Sequence, residues 1–523
     1  MLGISGKTAK WLSTRLKLEK VSLFILMVVA AFLVFHNLKF NPRPWHDEGS
    51  ALSVPKTLVE DGVYAGKSSD GYQTFGAVQS VGPTLLLPVA LSFKFFGIGL
   101  VQGRIVGAIY ALLALFAFYA LGRELFGWQT AFLSAVILLG SPAARFLFYG
   151  RQVLGEVPAF GFFLSGWLAW LQGERSERRW LYLIAGLLIG MAMVTKSSYI
   201  FIGFATIASL LVLDLFVYRQ RKTAALMLTG LMALICVMVW TGWQWVYFGA
   251  DTFYENVAKL RQLADSTTGF NLPTTVAALK FLVGAESGHF YYWWGFPSLI
   301  YVGLLSLRRD HRSLTLASLL NFSLFWLGYY LLWSVPWVSY IFAPAATSAL
   351  FVGKLWYDLL SSIRVSWGRI LSSARLDVQV EASLKLAATA ALGLMILYPF
   401  QSIVRLNVLH QDHTPYQVAA FLNERVDPDS IVETWERELG VLTDHRYHFP
   451  DQALLARTHA AIYRGGLYDY ALGADYFQRY RPSYLVVGWF ARWTGIYDAN
   501  FLAEHGELLT TIGEYEIYEL HLP

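Results

Sequence analysis

Cysteine is almost absent from this sequence. The single Cys236 lies inside an apolar run, which excludes a disulfide framework and a thiolate metal site. Charge is scarce too: 15% of the 523 residues are charged, against 56% hydrophobic and 16% aromatic. A soluble chain of this length cannot bury that much apolar surface, so the sequence describes a polytopic membrane protein. No P-loop and no dinucleotide-binding glycine fingerprint occurs, so no nucleotide is implied. The net charge of +5 is no nucleic-acid signal, because the basic residues fall in short clusters between apolar runs. The first apolar run, 21–35, follows Lys7, Lys10, Arg15, Lys17 and Lys20 without a small-residue cleavage site, as in a retained signal-anchor helix.

Apolar segments lie near 21–38, 103–122, 128–147, 157–172, 181–196, 198–216, 224–246, 291–307, 313–333, 338–358 and 384–404. They predict about eleven crossings. Basic clusters at 7–20, 175–179, 219–222, 308–312 and 354–385 occupy alternate loops, which places them and the N-terminus in the cytoplasm. The loops 39–102, 148–156, 247–290 and 334–340, and the tail after 404, then face outward. Within the first of these, 47–61 has helical character interrupted by Pro55, and Gly62 to Gly82 reads as a flexible loop. Residues 84–96 are apolar but short, which fits a helix lying along the interface; a crossing there would put every later basic cluster outside.

Polar residues gather at the outer turns. Pro44-Trp45-His46-Asp47-Glu48-Gly49 follows the first span, and Arg104 opens the second. The next outer turn carries Arg151 and Glu156, and Thr195-Lys196 breaks a long apolar stretch. Singly, each has an ordinary reading: acids at a helix start, a juxtamembrane salt bridge, a snorkelling lysine. Together they predict a polar site on the outer face shared by several helices. Cations there would balance a lipid-linked phosphate, and a carboxylate would take the proton of an acceptor hydroxyl. A transporter or flippase of lipid-linked sugars could use the same residues, but the acids lie at helix ends and no paired broken helices occur. A non-catalytic scaffold is the third class.

In their order and placement these residues resemble the GT-C glycosyltransferases, which use polyprenyl- or dolichyl-phosphate sugars. Protein O-mannosyltransferases and the lipid A aminoarabinose transferase are the best-known relatives. The resemblance runs from Asp47-Glu48-Gly49 through Gly82-Pro83, Arg104, Gly122-Arg123-Glu124, Gly150-Arg151, Glu156-Val157-Pro158 and Thr195-Lys196. It continues with Gly288-His289-Phe290-Tyr291-Tyr292-Trp293-Trp294 and with Pro336, Ser339-Tyr340 and Pro344, so that it spans roughly residues 20–360. It implies that Asp47 activates the acceptor, that Glu48 is its partner and that Glu156 is the second site acid. Arg104, Arg151, Lys196 and Tyr340 would bind the donor phosphate, and His46, His289 and Tyr291 would line the substrate cavity. Asp47, Glu48 and Glu156 are hard oxygen ligands suited to Mg²⁺ or Mn²⁺, the one cofactor this set suggests. Two positions depart from relatives: Ser339-Tyr340 stands where many have Arg-Tyr, and Gly82-Pro83 where the aminoarabinose branch has Lys-Pro.

After residue 404 polar residues rise and apolar runs shorten to strand length at 430–435, 483–490 and 515–520, with a helix expected at 415–425 from Thr414-Pro415. The expectation is an all-α polytopic membrane protein of GT-C type over 1–404, with interfacial helices in its first outer loop, and a small α/β extracytoplasmic domain over 405–523. His410, Asp412, His413, Asp444, His445 and His448 fit no standard metal spacing. The function expected is inverting transfer of a sugar, in the plasma membrane, from a polyprenyl-phosphate donor to a lipid, glycan or protein acceptor outside it.

Overall fold

A computed structural model describes residues 6–287, 289–308, 310–362, 376–464 and 471–522. Gly288 of the aromatic motif, and Arg309 and 363–375 of the expected cytoplasmic clusters, lie outside the described residues.

The membrane region is helical: α1 (Gly6–Phe35), α2 (His46–Asp61), a hairpin of β1 (Gly66–Ser68) and β2 (Gly71–Gln73), α3 (Ala77–Ser80), α4 (Pro83–Phe96), α5 (Leu100–Phe126), α6 (Trp128–Gly140), α7 (Phe146–Gly150), α8 (Glu156–Ser176) and α9 (Trp180–Thr195). It continues with α10 (Ser198–Leu213), α11 (Thr223–Phe248), α12 (Ala250–Thr267), α13 (Leu272–Val283), α14 (Phe296–Ser306), α15 (Ser313–Gly328), α16 (Phe342–Ser362) and α17 (Leu376–Ile403). Among the described residues, seven helical segments are long and apolar enough to cross a membrane: Leu16–Phe35, Leu100–Phe126, Ser198–Tyr218, Thr223–Phe248, Ser313–Trp333, Val338–Ser362 and the one from Ser383. Each matches an expected crossing. The remaining expected crossings coincide with α6, α8, α9 and α14, which are shorter or less apolar. Exposed side chains such as Phe24, Phe201 and Leu394 mark the lipid-facing sides of these helices. Inside, small residues let backbones approach: a Cβ at Gly161 of α8 would lie 3.0 Å from that of Ala114 on α5.

The first outer loop is more ordered than expected. Gly62 to Gly82 carries the β1–β2 hairpin and α3, because its backbone pairs with the C-terminal region: Ser69 N–H donates to the Tyr447 carbonyl at 2.7 Å. Pro55 does not interrupt α2, whose buried face, Ala51, Leu52 and Val54, packs with Leu85, Leu86 and Val89 of α4 in a separate small core. The expected short helix at 84–96 is α4, which buries that face and exposes Leu87, Leu91 and Phe95.

The C-terminal region holds α18 (Thr414–Arg425), β3 (Ile431–Thr434), α19 (Leu439–Leu442), β4 (Arg446–His448), α20 (Leu454–Arg464), α21 (Ala474–Tyr480), β5 (Tyr484–Val487), α22 (Trp489–Thr494), α23 (Ala499–His505), β6 (Gly506–Ile512) and β7 (Tyr515–Leu520). The strands form one sheet in the order β4-β3-β5-β7-β6, parallel across β4-β3-β5 and antiparallel across β5-β7-β6. Alternation decides its two faces: Val486 packs with Val418 and Leu422 of α18, while Leu485 and Val487 pack with Phe477 and Phe490.

Candidate active site

Helix α2 starts where Trp45 is extended (φ −152°) and His46 enters the first turn. Adjacent residues of a helix point about 100° apart, so Asp47 and Glu48 cannot share one surface. Glu48 turns inward against α5 and is fully buried. Arg104 donates from Nε to its Oε1 at 2.8 Å and from Nη2 to its Oε2 at 2.5 Å. The third arm, Nη1, donates to the Leu38 carbonyl at 2.7 Å, and Val153 N–H adds a bond to Glu48 Oε1 at 3.2 Å. Glu48 and Arg104 thus complete each other, and Arg104, likewise fully buried, spends its donors on Glu48 and the Leu38 carbonyl.

Arg151 is buried as well. Its Nη1 donates to Asn407 Oδ1 at 2.9 Å and to Asn41 Oδ1 at 3.4 Å, and its Nη2 donates to the His36 carbonyl. It ties the end of α1 to the chain leaving α17. Of the phosphate-binding residues expected from sequence, Arg104 and Arg151 therefore serve as internal braces.

Asp47 is different. Among the described residues no hydrogen bond or ion pair engages its carboxylate. Burial raises its pKa to about 6, with Lys196 pulling it down and Glu156 pushing it up. Glu156 opens α8, and Lys196 follows the last turn of α9; Lys196 Nζ lies 2.8 Å from Glu156 Oε1, while Glu156 Oε2 is buried without a partner. Lys196 is held by its backbone, because α4 enters alongside it. Gly82 N–H donates to the Thr195 carbonyl at 3.0 Å, and the Thr84 and Thr195 hydroxyls are 2.6 Å apart. A Cβ on Gly82 would overlap the Val194 carbonyl, which is why no side chain, lysine included, fits before Pro83. Tyr340, partly exposed, lies within electrostatic reach of both Asp47 and Glu156. The structure therefore brings together Asp47, Glu156, Lys196 and Tyr340 from four separate elements.

Three expected cavity residues lie elsewhere. His46 is buried against the C-terminal region, its Nδ1–H donating to the Trp435 carbonyl at 2.6 Å and its ring lying 3.9 Å from that of Phe490. Burial and the charge of Arg437 lower its pKa to about 3, so it stays neutral. His289 is exposed, with Nδ1 bonded to the Val283 carbonyl at 2.9 Å, and Tyr291 is buried in the helix core beside Phe290.

Arg145 was not singled out by sequence. It has φ +48°, a backbone conformation uncommon for a residue with a Cβ, and the only sequence signal is its place just before Tyr149-Gly150-Arg151. Among the described residues its guanidinium has no bonded partner. It borders a cavity of about 850 Å³ between α6, α7 and α17, walled by apolar side chains such as Ile137, Phe148 and Leu394. Tyr149 lies within electrostatic reach of Arg145 as well as of Glu156 and Asp47.

For a divalent cation the donor set narrows. Glu48 is consumed by Arg104, which leaves the Asp47 carboxylate and Glu156 Oε2. Among the described residues no group of three or more His, Cys, Asp and Glu side chains is placed to hold a metal. Of the C-terminal residues weighed for one, Asp444 is engaged with Lys56 at 2.8 Å and His448 with Glu433 at 2.5 Å.

Comparison with known proteins bears on this geometry. Residues 80–243 match the family model described as dolichyl-phosphate-mannose-protein mannosyltransferase. No curated protein matches the chain by sequence. Among solved structures, ArnT from Cupriavidus metallidurans bound to undecaprenyl phosphate is similar, with TM-score 0.61 and 13% identity, covering 97% of this chain and 98% of that one. The archaeal oligosaccharyltransferase AglB from Archaeoglobus fulgidus, in complex with an inhibitory peptide and a dolichol-phosphate, has TM-score 0.58 and 13% identity over 96% of this chain and 74% of that one. The resemblance drawn from the residues is thereby borne out: this chain is a multi-pass membrane protein with the GT-C glycosyltransferase fold.

Proposed function

We propose that this protein is an inverting glycosyltransferase, which moves one sugar from a polyprenyl phosphate to an acceptor hydroxyl outside the membrane. One observation carries the reading: Asp47, whose carboxylate no hydrogen bond or ion pair engages among the described residues, has a pKa near 6 and lies within electrostatic reach of Glu156 and Lys196. Asp47 accepts the acceptor's proton as the hydroxyl oxygen attacks the anomeric carbon from the face opposite the phosphate. The bond from that carbon to the phosphate oxygen breaks, and its electron pair leaves with the lipid phosphate. Arg145 and Lys196, with Tyr340, balance that charge, so the leaving group needs no acid.

The cavity between α6, α7 and α17 is the place for the prenyl chain, and the polyprenyl-phosphate ligands of the ArnT and AglB structures support that ligand class. Glu48 and Arg104 position Asp47 by fixing the first turn of α2. A Mg²⁺ or Mn²⁺ ion would be held by Asp47 and Glu156 together with water and substrate oxygens, and would supply further positive charge for the phosphate. The basic clusters support a cytoplasmic N-terminus and a site on the outer face of the membrane, which in this reading is the plasma membrane. The deciding experiment is transfer from a synthetic polyprenyl-phosphate sugar by Asp47→Asn in a folded preparation. A drop of about 10²–10⁴-fold is expected. Undiminished transfer would remove Asp47 as the base, and lipid-linked sugar flipping without transfer by the native chain would favour a transporter.

A further inference from the structure

Beside the carboxylates lies a row of aromatic rings to which nothing in the proposed phosphate chemistry gives a task. Trp45 precedes α2 by one residue, and its ring centroid is 6.2 Å from that of Trp337 in the last outer loop. Trp337 is 5.4 Å from Trp493 of α22, and Trp493 is 5.9 Å from Trp489 with the two indoles within 6° of parallel. On α20, His459 and Tyr463 stand four residues apart on one helix face and close the row from the side, 6.4 Å from Trp337 and 6.3 Å from Trp493. The row reaches the site through Tyr340, which lies within electrostatic reach of Asp47, Glu156 and Tyr463 together.

Its chemistry is specific. Burial pushes the pKa of His459 down to about 4, so none of the six side chains is charged at neutral pH. Trp489 is 43% exposed, although an indole is among the most costly groups to leave in water. His459 Nδ1 is buried and has no partner, and among the described residues the Tyr463 hydroxyl has none either. Flat apolar faces next to neutral hydrogen-bonding atoms match a sugar ring, with C–H groups on its faces and hydroxyls on its edge. A prenyl chain would leave the His459 nitrogen unsatisfied, and none of the six side chains offers a phosphate a positive charge. Three successive separations between 5.4 and 6.2 Å carry the row past the length of one sugar ring.

We propose that the Trp45–Trp337–Trp493–Trp489 row, with His459 and Tyr463, is a saccharide subsite that seats a neutral acceptor glycan of two or more sugar units with its terminal hydroxyl toward Asp47. The assignment of the glycan as acceptor rests on the transferase reading; the binding of saccharide does not. Each of the three contributing segments, 45, 337 and 459–493, supplies part of the row, so the C-terminal region completes the subsite.

The test is saturation-transfer NMR on the full-length protein in nanodiscs, with neutral di- and tetrasaccharides of mannose, glucose and N-acetylglucosamine as probes. At least one tetrasaccharide should bind more tightly than its disaccharide. Trp489→Ala and Trp493→Ala should each weaken it about tenfold while Trp493→Phe restores part of the affinity. Binding should persist in Asp47→Asn and when polyprenyl phosphate is added. In turnover, the alanine variants should raise the acceptor KM and leave hydrolysis of the donor unchanged. A raised donor KM instead would give the row to the donor's sugar and overturn the acceptor assignment. Saturable binding of peptides but no saccharide, or no change in the variants, would overturn the subsite itself. Saccharide binding that follows the tryptophans, in a protein whose Asp47→Asn variant keeps full activity, would leave the subsite standing and remove the proposed base.

Discussion

The carboxylates of Asp47 and Glu48, one peptide bond apart, occupy opposite environments. Glu48 is sealed into a bidentate pair with Arg104, whereas among the described residues no hydrogen bond or ion pair engages Asp47, which lies within electrostatic reach of Glu156 and Lys196. The helical turn separates them, and α5 decides which one is buried. The two neighbours therefore divide into a buried brace and the carboxylate proposed as the base.

Breaking the buried pair from one side should be costly. Arg104→Met leaves Glu48 buried, charged and unpaired, and a loss of about 3–5 kcal/mol is expected. Glu48→Gln should cost less, because an amide keeps part of the hydrogen bonding. Thermal unfolding in detergent measures both, and equal melting temperatures for Arg104→Met and the native protein would contradict the pairing.

Activity should rise with pH through about 6, since Asp47 must lose its proton to act as the base. Lys196 lowers that pKa and Glu156 raises it, so their removal should move the acidic limb of kcat/KM in opposite directions. Lys196→Met shifts the limb upward in pH, and Glu156→Gln shifts it downward. A limb that stays fixed in both variants would separate the titrating group from Asp47. The stability contribution has the opposite slope. Because the folded pKa lies above the unfolded value of 3.8, stability from this group is full below pH 3.8 and declines as pH rises toward 6.

Gly49 should tolerate no side chain. A Cβ there would run into the backbone of Arg437 and Glu438, where the C-terminal region lies on α2. Gly49→Ala is expected to cost about 1–3 kcal/mol and to loosen that contact. Limited proteolysis reads the second effect, with faster cleavage after residue 404 than in the native chain.

Arg145→Ala should raise the donor KM about tenfold or more while leaving the melting temperature within error, because among the described residues its guanidinium has no bonded partner. Arg151→Ala should do the reverse. It loses its bonds to Asn41, Asn407 and His36 and so should melt earlier. Matching effects from the two arginines would undo the distinction between phosphate ligand and internal brace.

Much of this protein is legible in its residues. Apolar length and the spacing of basic clusters give the membrane class, and seven expected crossings appear as long apolar helices. The strands at 431–434, 484–487 and 515–520 follow from short apolar runs, while β4 at Arg446–His448 carries no such run and is formed by its pairing to β3. The hairpin at 66–73 was hidden for the same reason. Its residues are those of a loop, and its order comes from Tyr447 and Phe449, which are nearly four hundred residues away in sequence.

Placement of polar residues at outer helix ends is a property of the chain, and it picks out Asp47, Glu156 and Lys196 together with Glu48, Arg104 and Arg151, while Tyr340 enters through the resemblance to GT-C enzymes. Composition alone also determines that the protein lives in a membrane, since that much apolar surface has no other solvent. Which charges react is another matter. Arg104, Arg151 and Lys196 look alike in a sequence, and only packing shows that the first two spend their donors internally while Arg145 keeps its own free. The aromatic row is likewise a product of the fold, because Trp45, Trp337 and Trp493 meet only when the C-terminal region docks on α2. A side chain's chemistry is fixed by its residue type, but its availability depends on what surrounds it, and that is decided in three dimensions.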